Sequence, residues 1–531
     1  MRGSKTLALA AVMAMVCAEL AAQPARDPTL AQTQQGMVRG AVDGELVVFK
    51  GIPYAAPPVG PLRWRPPQQP ADRAGVLNAT EFGPFCPLLD GSKLAQGRRY
   101  SGGAEIFVGV PDAPGSSEDC LRLNVWAPID ANGAAVMVWI QPIGPSSYPL
   151  FDGAALARQG VVMVTMDYRQ LSLGNFAHPS LTREAKRDEP LSRYQTMDQI
   201  AALRWVKQNI GAFGGDPDNV TVFGESASAA STLQLLTIPA ARGLIDKAIA
   251  QSANGWWSPA DLPEMEVLGS WAASQAGLPG KDATAEQLRA LEVDALPKVG
   301  IYSIDGRLQP RSATALIDEG QMADVPLLIG WTDFDGSSLR TMSAETFATQ
   351  ASDTLQAVYA GDGKVGADLG YQMYTDQHVG APARWVADEA SEGAPSYLYL
   401  FSYVRPEYRG KVPGAAHGNE LAFVFDAWSR AYPQVNLTDE DRAATRMMQS
   451  CWVSFAKTGT PKCEGAPDWP RYRRASDQVM ELGVQAKILT GFRRAQLDAQ
   501  EAAMQSVIDS DRSAVEEMIA RMRSGEFSLA D

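Results

Sequence analysis

From about residue 130 onward the chain alternates between unbroken apolar runs and longer stretches with helical periodicity. Residues 135–140 (AVMVWI) and 161–166 (VVMVTM) are near-continuous apolar runs, the pattern of parallel strands covered on both faces. Ile200, Leu203, Val206 and Ile210 then recur at helical spacing, and Gly211 is the expected stop of that helix. Further strand runs follow at 220–223 (VTVF), 247–251 (KAIAQ), 325–329 (VPLLI) and 397–401 (YLYLF). Strands alternating with helices predict an α/β fold with a large central, mostly parallel sheet flanked by helices.

The two ends read differently. Runs at 37–42 and 46–49 flank Asp43-Gly44 and predict an N-terminal β-hairpin. Residues 50–67 are too rich in Pro and Gly for regular structure and predict a rigid surface loop. The long polar segment between Cys86 and Cys120 is expected to be a lid or the wall of a site, because loops of that length in a domain usually serve a function. At the C-terminus, residues 492–531 are expected to form a helical extension. Leu497, Met504 and Val507 would face inward on one helix, and Val515, Met518, Ile519 and Met522 on a second, with a break near Asp509-Ser510-Asp511. The extension packs on the domain in this reading; a homodimer contact is the alternative. With no repeats and no low-complexity linker, 23–531 reads as one domain.

Composition narrows the setting. Arg2 and Lys5, the short apolar run after them and Leu20-Ala21-Ala22 predict a signal peptide over 1–22, hence a periplasmic or secreted protein. No later segment has the uninterrupted apolar length of a membrane span. The net charge of −14 argues against nucleic acid and anionic membranes as partners. Without Cys17 four cysteines remain. The simplest of their three connectivities pairs neighbours, Cys86–Cys120 and Cys451–Cys463, with buried free thiols as the alternative. No CxxC or HxxxH spacing points to a metal.

The chemistry centres on Gly224-Glu225-Ser226-Ala227-Ser228, between a strand run and a helical run. That G-x-S-x-small string reads as a nucleophile elbow, in which small neighbours allow a sharp turn that lifts Ser226 Oγ clear of the sheet. The N–H of Ala227, at the new helix's start, faces the oxygen of whatever Ser226 attacks. An ordinary turn with a serine N-cap is the bland alternative. A serine needs a histidine to take its proton and a carboxylate to orient that histidine, in the chain order Ser, acid, His. The chain has three histidines. His178 precedes the elbow, His378 lies in a polar stretch without special context, and His417 sits among small residues after the 397–401 strand. His417 is the expected base. Asp333 and Asp335, after the 325–329 strand, both qualify as the acid; the one not used would be a solvated turn residue.

Taken together, these residues resemble the type-B carboxylesterase family of α/β-hydrolases, the cholinesterase-like group, over about 37–472. The resemblance is carried by FKGIPYAAPPVGPLRWRPP at 49–67, EDCLRLNVWAP at 118–128 and DQIAALRWVKQNIGAFGGDPDNVTVFGESA at 198–227. DGRLQPRS at 305–312, GAAHGNELAFVF at 414–425 and WVSFAKTGTP at 452–461 extend it. It implies the α/β-hydrolase fold, ester hydrolysis through an acyl-enzyme without a cofactor, and a Ser226–Asp335–His417 triad, with Asp335 preferred to Asp333. It also implies the Cys86–Cys120 disulfide and offers no counterpart for Cys451–Cys463.

Two departures stand out. Ser228 replaces a glycine and should matter little, being small. More serious, the family's H-G-G-G-F oxyanion string is Gln141-Pro142-Ile143-Gly144-Pro145 here. Ile143 and Gly144 take the donor positions, but the prolines fix φ around them and a β-branched residue resists φ > 0. Gln141's side-chain amide is a possible substitute donor. Trp256, Trp257 and Trp331 are candidates for an acyl pocket, with core packing as the alternative for each. The leading expectation is a serine carboxylesterase acting on a small-molecule ester. Its rivals are a catalytically weak or silent cholinesterase-like binding protein and a hydrolase adapted to an unusual acyl or carbamate group.

Overall fold

The apolar runs assemble into one eleven-stranded sheet in a computed structural model that describes residues 27–88, 115–142, 144–256, 258–296 and 302–526. The expected signal peptide 1–22 with Cys17, most of the segment between Cys86 and Cys120, Ile143 and Trp257 lie outside the described residues. The strands are β1 (Ala41–Asp43), β2 (Leu46–Pro53), β3 (Arg122–Pro128), β4 (Ala134–Ile140), β5 (Val162–Met166) and β6 (Gly215–Glu225). They continue with β7 (Lys247–Gln251), β8 (Leu327–Thr332), β9 (Ser396–Phe401), β10 (Gln478–Leu482) and β11 (Lys487–Thr490). The spatial order is β11-β10-β9-β8-β7-β6-β4-β5-β3-β2-β1. From β5 to β10 every pairing is parallel, and antiparallel strands close both edges.

Strand alternation explains why the central runs carry almost no polar residue. Val136, Val138 and Ile140 enter the core on one face of the sheet, while Met137 and Trp139 enter the core on the other. Both faces are buried, so neither parity tolerates a charge.

The register also fixes where chemistry can occur. β5 lies on one side of β4 and β6 on the other, so the chain order reverses between β4 and β6. Ile140 pairs with Gly224, which brings the loop after β4 beside the turn after β6. In open α/β sheets such a switch point, at the carboxyl ends of the strands, is where ligands bind.

Three local expectations are corrected. The 37–42 run splits at Gly40: residues up to Arg39 pair with a separate N-terminal strand, and only β1 forms the hairpin with β2. The helix carrying Ile200, α1 (Tyr194–Asn209), continues as a 3-10 turn past Gly211 and stops at Gly214, which takes the left-handed φ of 82°. In the tail, α3 (Arg494–Ala502) and α4 (Met504–Ser524) break at Ala503, and the acidic 509–511 stretch stays helical on an outer face. Leu497 and Met522 are buried in the main core, Ile519 is buried as well, and Arg512 pairs with Glu264. Disulfides join Cys86 to Cys120 and Cys451 to Cys463. No helix among the described residues is long and apolar enough to cross a membrane.

One buried ion pair ties the sheet to α1. Arg169, just past β5, makes a two-pronged contact with Asp198, Nε to Oδ2 at 2.8 Å and Nη2 to Oδ1 at 2.7 Å, with both side chains sealed from water. Burial alone raises the Asp198 carboxyl, with Arg169 opposing it. Removing one partner leaves a buried charge uncompensated, so Asp198→Ala should destabilise the fold by about 3–5 kcal/mol. Urea unfolding measures it; a loss under 1 kcal/mol would show that water reaches Arg169.

Candidate active site

The turn at Ser226 is built by sterics before chemistry. Ser226 sits between β6 and helix α2 (Ala227–Thr237) with φ 59° and ψ −124°, a region that costs a non-glycine residue roughly 1–3 kcal/mol. The neighbouring positions permit it. A Cβ on Gly224 would come within 2.7 Å of the Ser228 carbonyl, so the chain cannot close on itself with anything larger. Ser228, in place of the family's glycine, is fully buried; its hydroxyl accepts from the Glu225 N–H at 3.0 Å and donates to the Glu225 carbonyl at 2.8 Å. The departure therefore adds a clasp to the turn. Ala227 is the first residue of α2, so its N–H has no partner within the helix.

Three side chains from three separate loops meet at this turn. His417 Nε2 lies 2.8 Å from Ser226 Oγ, and His417 Nδ1 lies 2.6 Å from Asp335 Oδ1. The other oxygen of Asp335 accepts from Ser252 Oγ at 2.6 Å and from the Thr332 N–H and Oγ1 at 3.0 Å each. Burial alone would raise the Asp335 carboxyl, but His417, Ser252 and Thr332 outweigh it and hold it below the usual range. Burial alone would likewise lower the His417 imidazole, yet the carboxylates of Glu225 and Asp335 reverse that and raise it. A base so placed favours the charged imidazolium that forms when a serine gives up its proton.

Asp333, the other candidate acid, is not a solvated turn residue. Its Oδ1 accepts from the Ala415 N–H at 2.6 Å, two residues before His417, and burial pushes its carboxyl up to about 7. Phe334 donates to the Ala415 carbonyl at 3.0 Å, and Ser337 Oγ accepts from the His417 N–H at 2.9 Å. The loops carrying Asp335 and His417 are thus zipped together along 333–337, with Asp333 holding the Ala415 N–H and Asp335 holding the His417 ring. The other two histidines lie elsewhere. His178 caps a short helix, and His378 stacks on Tyr374 with ring centroids 3.8 Å apart.

The loop after β4 takes a path of its own. Gly144 has φ 116°, with the Tyr148 ring packed where a Cβ would stand. Its N–H donates to Gln170 Oε1 at 3.2 Å, and its carbonyl accepts from Gln170 Nε2 at 3.1 Å. The Gln141 side chain is fully buried and turns back on the loop, its Nε2 3.4 Å from the Gly144 carbonyl. Asp167 fastens the far end by accepting from the Ser146 N–H at 2.9 Å and from the Ser146 hydroxyl. Because Gln141's amide is directed at Gly144, Gln141→Ala should cost kcat less than the roughly 10²–10³ that loss of an oxyanion donor costs. A loss of 10² or more in steady-state ester hydrolysis would restore Gln141 as a donor.

Trp256 and Trp331 are both buried, Trp331 within β8 and Trp256 in the core beyond β7. Sequence reasoning missed Glu225 and Glu420. Glu225 Oε1 lies 3.2 Å from His417 Nε2, and Glu420 Oε1 accepts from Gln251 Nε2 at 3.2 Å. Burial raises both carboxyls, so two acids in the proton-binding range back the site. Both stand in quoted strings, next to the serine and three residues after the histidine. Nothing in a single sequence marks an acid as dry.

Comparison with known proteins gives the chain relatives. The profile of the carboxylesterase family matches residues 27–364 and 351–501. Para-nitrobenzyl esterase of Bacillus subtilis (strain 168) is 35% identical over 482 residues, covering 85% of this chain and 94% of that protein. Fumonisin B1 esterase of Sphingopyxis macrogoltabida is 32% identical over 526 residues, covering 91% and 92%. A solved PNB esterase structure superposes with a TM-score of 0.74 at 32% identity, over 88% of this chain and 99% of that one.

Proposed function

The chain belongs to the carboxylesterase family and is a carboxylic ester hydrolase of the α/β-hydrolase fold, and we propose that it works as a serine esterase through an acyl-enzyme. In this reading Ser226 attacks the ester carbonyl while His417 takes its proton. Asp335 holds the imidazole in the tautomer that presents Nε2 to the serine and stabilises the imidazolium. His417 then passes the proton to the leaving alcohol, and water, activated by the same histidine, releases the acid. The single observation that carries the reading is the pair of contacts on His417, 2.8 Å to Ser226 Oγ and 2.6 Å to Asp335 Oδ1. Ala227's N–H supplies one oxyanion donor. A second comes from the loop after β4, with Gly144 as its described candidate and Ile143 as its neighbour.

A second reading is favoured by one observation: the Gly144 N–H is held by Gln170. Until Gln170 lets go, that donor is unavailable, which suits a hole adapted to an unusual acyl or carbamate group. Both readings take the protein as exported, periplasmic or secreted, and the two disulfides support that. The test is hydrolysis of p-nitrophenyl butyrate by the protein, followed by titration with an organophosphate that phosphorylates activated serines. The account expects turnover and complete inactivation at one equivalent. Turnover that survives the reagent would overturn it, and turnover of a carbamate in preference to the butyrate would favour the second reading.

A further inference from the structure

Arg193 stands at the start of α1, is 1% exposed, and carries its charge into the interior without an acid. Every other fully buried arginine of the described chain has a carboxylate in contact: Arg169 has Asp198, and Arg384 has Asp477 and Asp498. Arg193 Nη2 reaches only neutral oxygens, Thr196 Oγ1 at 3.1 Å and Gln234 Oε1, and its Nε has no hydrogen-bond partner. The nearest acid, Asp305, is committed elsewhere. Its oxygens accept the backbone N–H groups of Leu191, Arg307, Leu308 and Gln309 at 2.9–3.2 Å, and it forms no ion pair with Arg193. A buried cation left this way is strongly disfavoured, and proteins normally meet it with a counter-charge.

Beside Arg193 lies a small cavity, also lined by Gln234, Tyr302, Ser303 and Gln309, in which the centre of a water-sized sphere has about 10 Å³ of free space. Gln309 is 2% exposed, and its side-chain oxygen has no partner. Turned over, the same amide presents its NH₂ to the cavity as a second donor beside the arginine. We propose that this cavity is a binding site for a single small inorganic anion of the halide class, held by Arg193 and the Gln309 amide. Burial pulls the Arg193 guanidinium down to about 10, which fits a charge that its protein surroundings do not fully compensate.

The site abuts the nucleophile helix. Gln234 belongs to α2, and the Tyr302 hydroxyl donates to the Ala227 carbonyl at 3.1 Å. Filling the cavity therefore braces the element that presents Ser226, and its first effect is on stability. The inference stands on Arg193's surroundings and does not depend on the proposed reaction.

Crystals of the protein soaked in sodium bromide test it directly. The account expects an anomalous bromine peak within contact of Arg193 Nε; water density there without an anomalous signal would overturn it. In solution, the melting temperature should rise with chloride at constant ionic strength, using gluconate as the balancing anion, and the rise should vanish in Arg193→Gln and in Arg193→Met. Equal melting in chloride and gluconate, or a chloride effect that persists in both variants, would contradict the site. The bromide measurement uses the unaltered chain, so it decides the question even where a variant does not fold.

Discussion

Ser226→Ala lowers kcat for p-nitrophenyl butyrate by a factor on the order of 10⁶, the scale of loss when a serine hydrolase's nucleophile is removed and nothing replaces it. The variant's fold should be intact. The Ser226 hydroxyl contacts His417, and the turn itself is made by Gly224, by the Ser228 clasp and by the Ser226 N–H on the Gln251 carbonyl. Alanine keeps the Cβ and inherits the same φ, so it carries the strain that serine already carries. Circular dichroism and melting should therefore match the parent while turnover collapses. A kcat within tenfold of the parent would mean that water attacks the ester directly, with His417 as its base, and would remove the covalent step.

The second large effect separates the two aspartates. Asp335→Asn should lower kcat by about 10⁴, because an amide facing His417 Nδ1 favours the wrong tautomer and cannot stabilise the imidazolium. Asp333→Asn keeps an oxygen for the Ala415 N–H and removes a charge that burial already disfavours, so kcat should stay within about tenfold of the parent. Asp333 also makes a statement about pH. Its folded value of about 7 lies above the unfolded one, so its contribution to stability is fully present below about pH 4 and is lost as pH rises through 7. Asp333→Asn should thus melt higher than the parent at pH 8 and lose most of that advantage at pH 5. If instead Asp333→Asn abolished turnover and Asp335→Asn did not, the acid would have been assigned to the wrong aspartate.

The fold was legible because its signals are redundant. A run such as 135–140 has no polar residue, both of its faces are buried, and no other element explains that pattern over six positions. Helix ends were less legible. Gly211 and Gly214 are three residues apart, and only the tertiary fit of the 3-10 turn between them decides which adopts the left-handed φ. The tail break failed for a related reason. Acidic residues at 509–511 look like a loop, yet on an outer helical face they are merely solvated, and the two helices part at Ala503 instead.

At the site, motif and chain order pointed to Ser226 and His417, which the structure places 2.8 Å apart, Nε2 to Oγ. Chemistry alone did not choose between Asp333 and Asp335; the contacts do, since Asp335 meets the His417 ring while Asp333 meets the Ala415 N–H. The supporting polar groups were invisible for a deeper reason. Asp167, Glu225, Gln170 and Glu420 are ordinary surface-type residues by composition, and their roles come from burial and from partners far along the chain. The oxyanion string is the reverse case. Its prolines and Ile143 put the loop's path in question, and the structure shows Gln170 holding Gly144, the described one of the two donor positions.

The measurement that bears most directly on the covalent claim is a peptide map of protein quenched in acid during turnover of p-nitrophenyl butyrate. The account predicts a single butyryl group, on the peptide containing Ser226, that accumulates during turnover and disappears when substrate is exhausted. Acylation at any other residue, or turnover with no acyl group on Ser226 at any time of quenching, would contradict it.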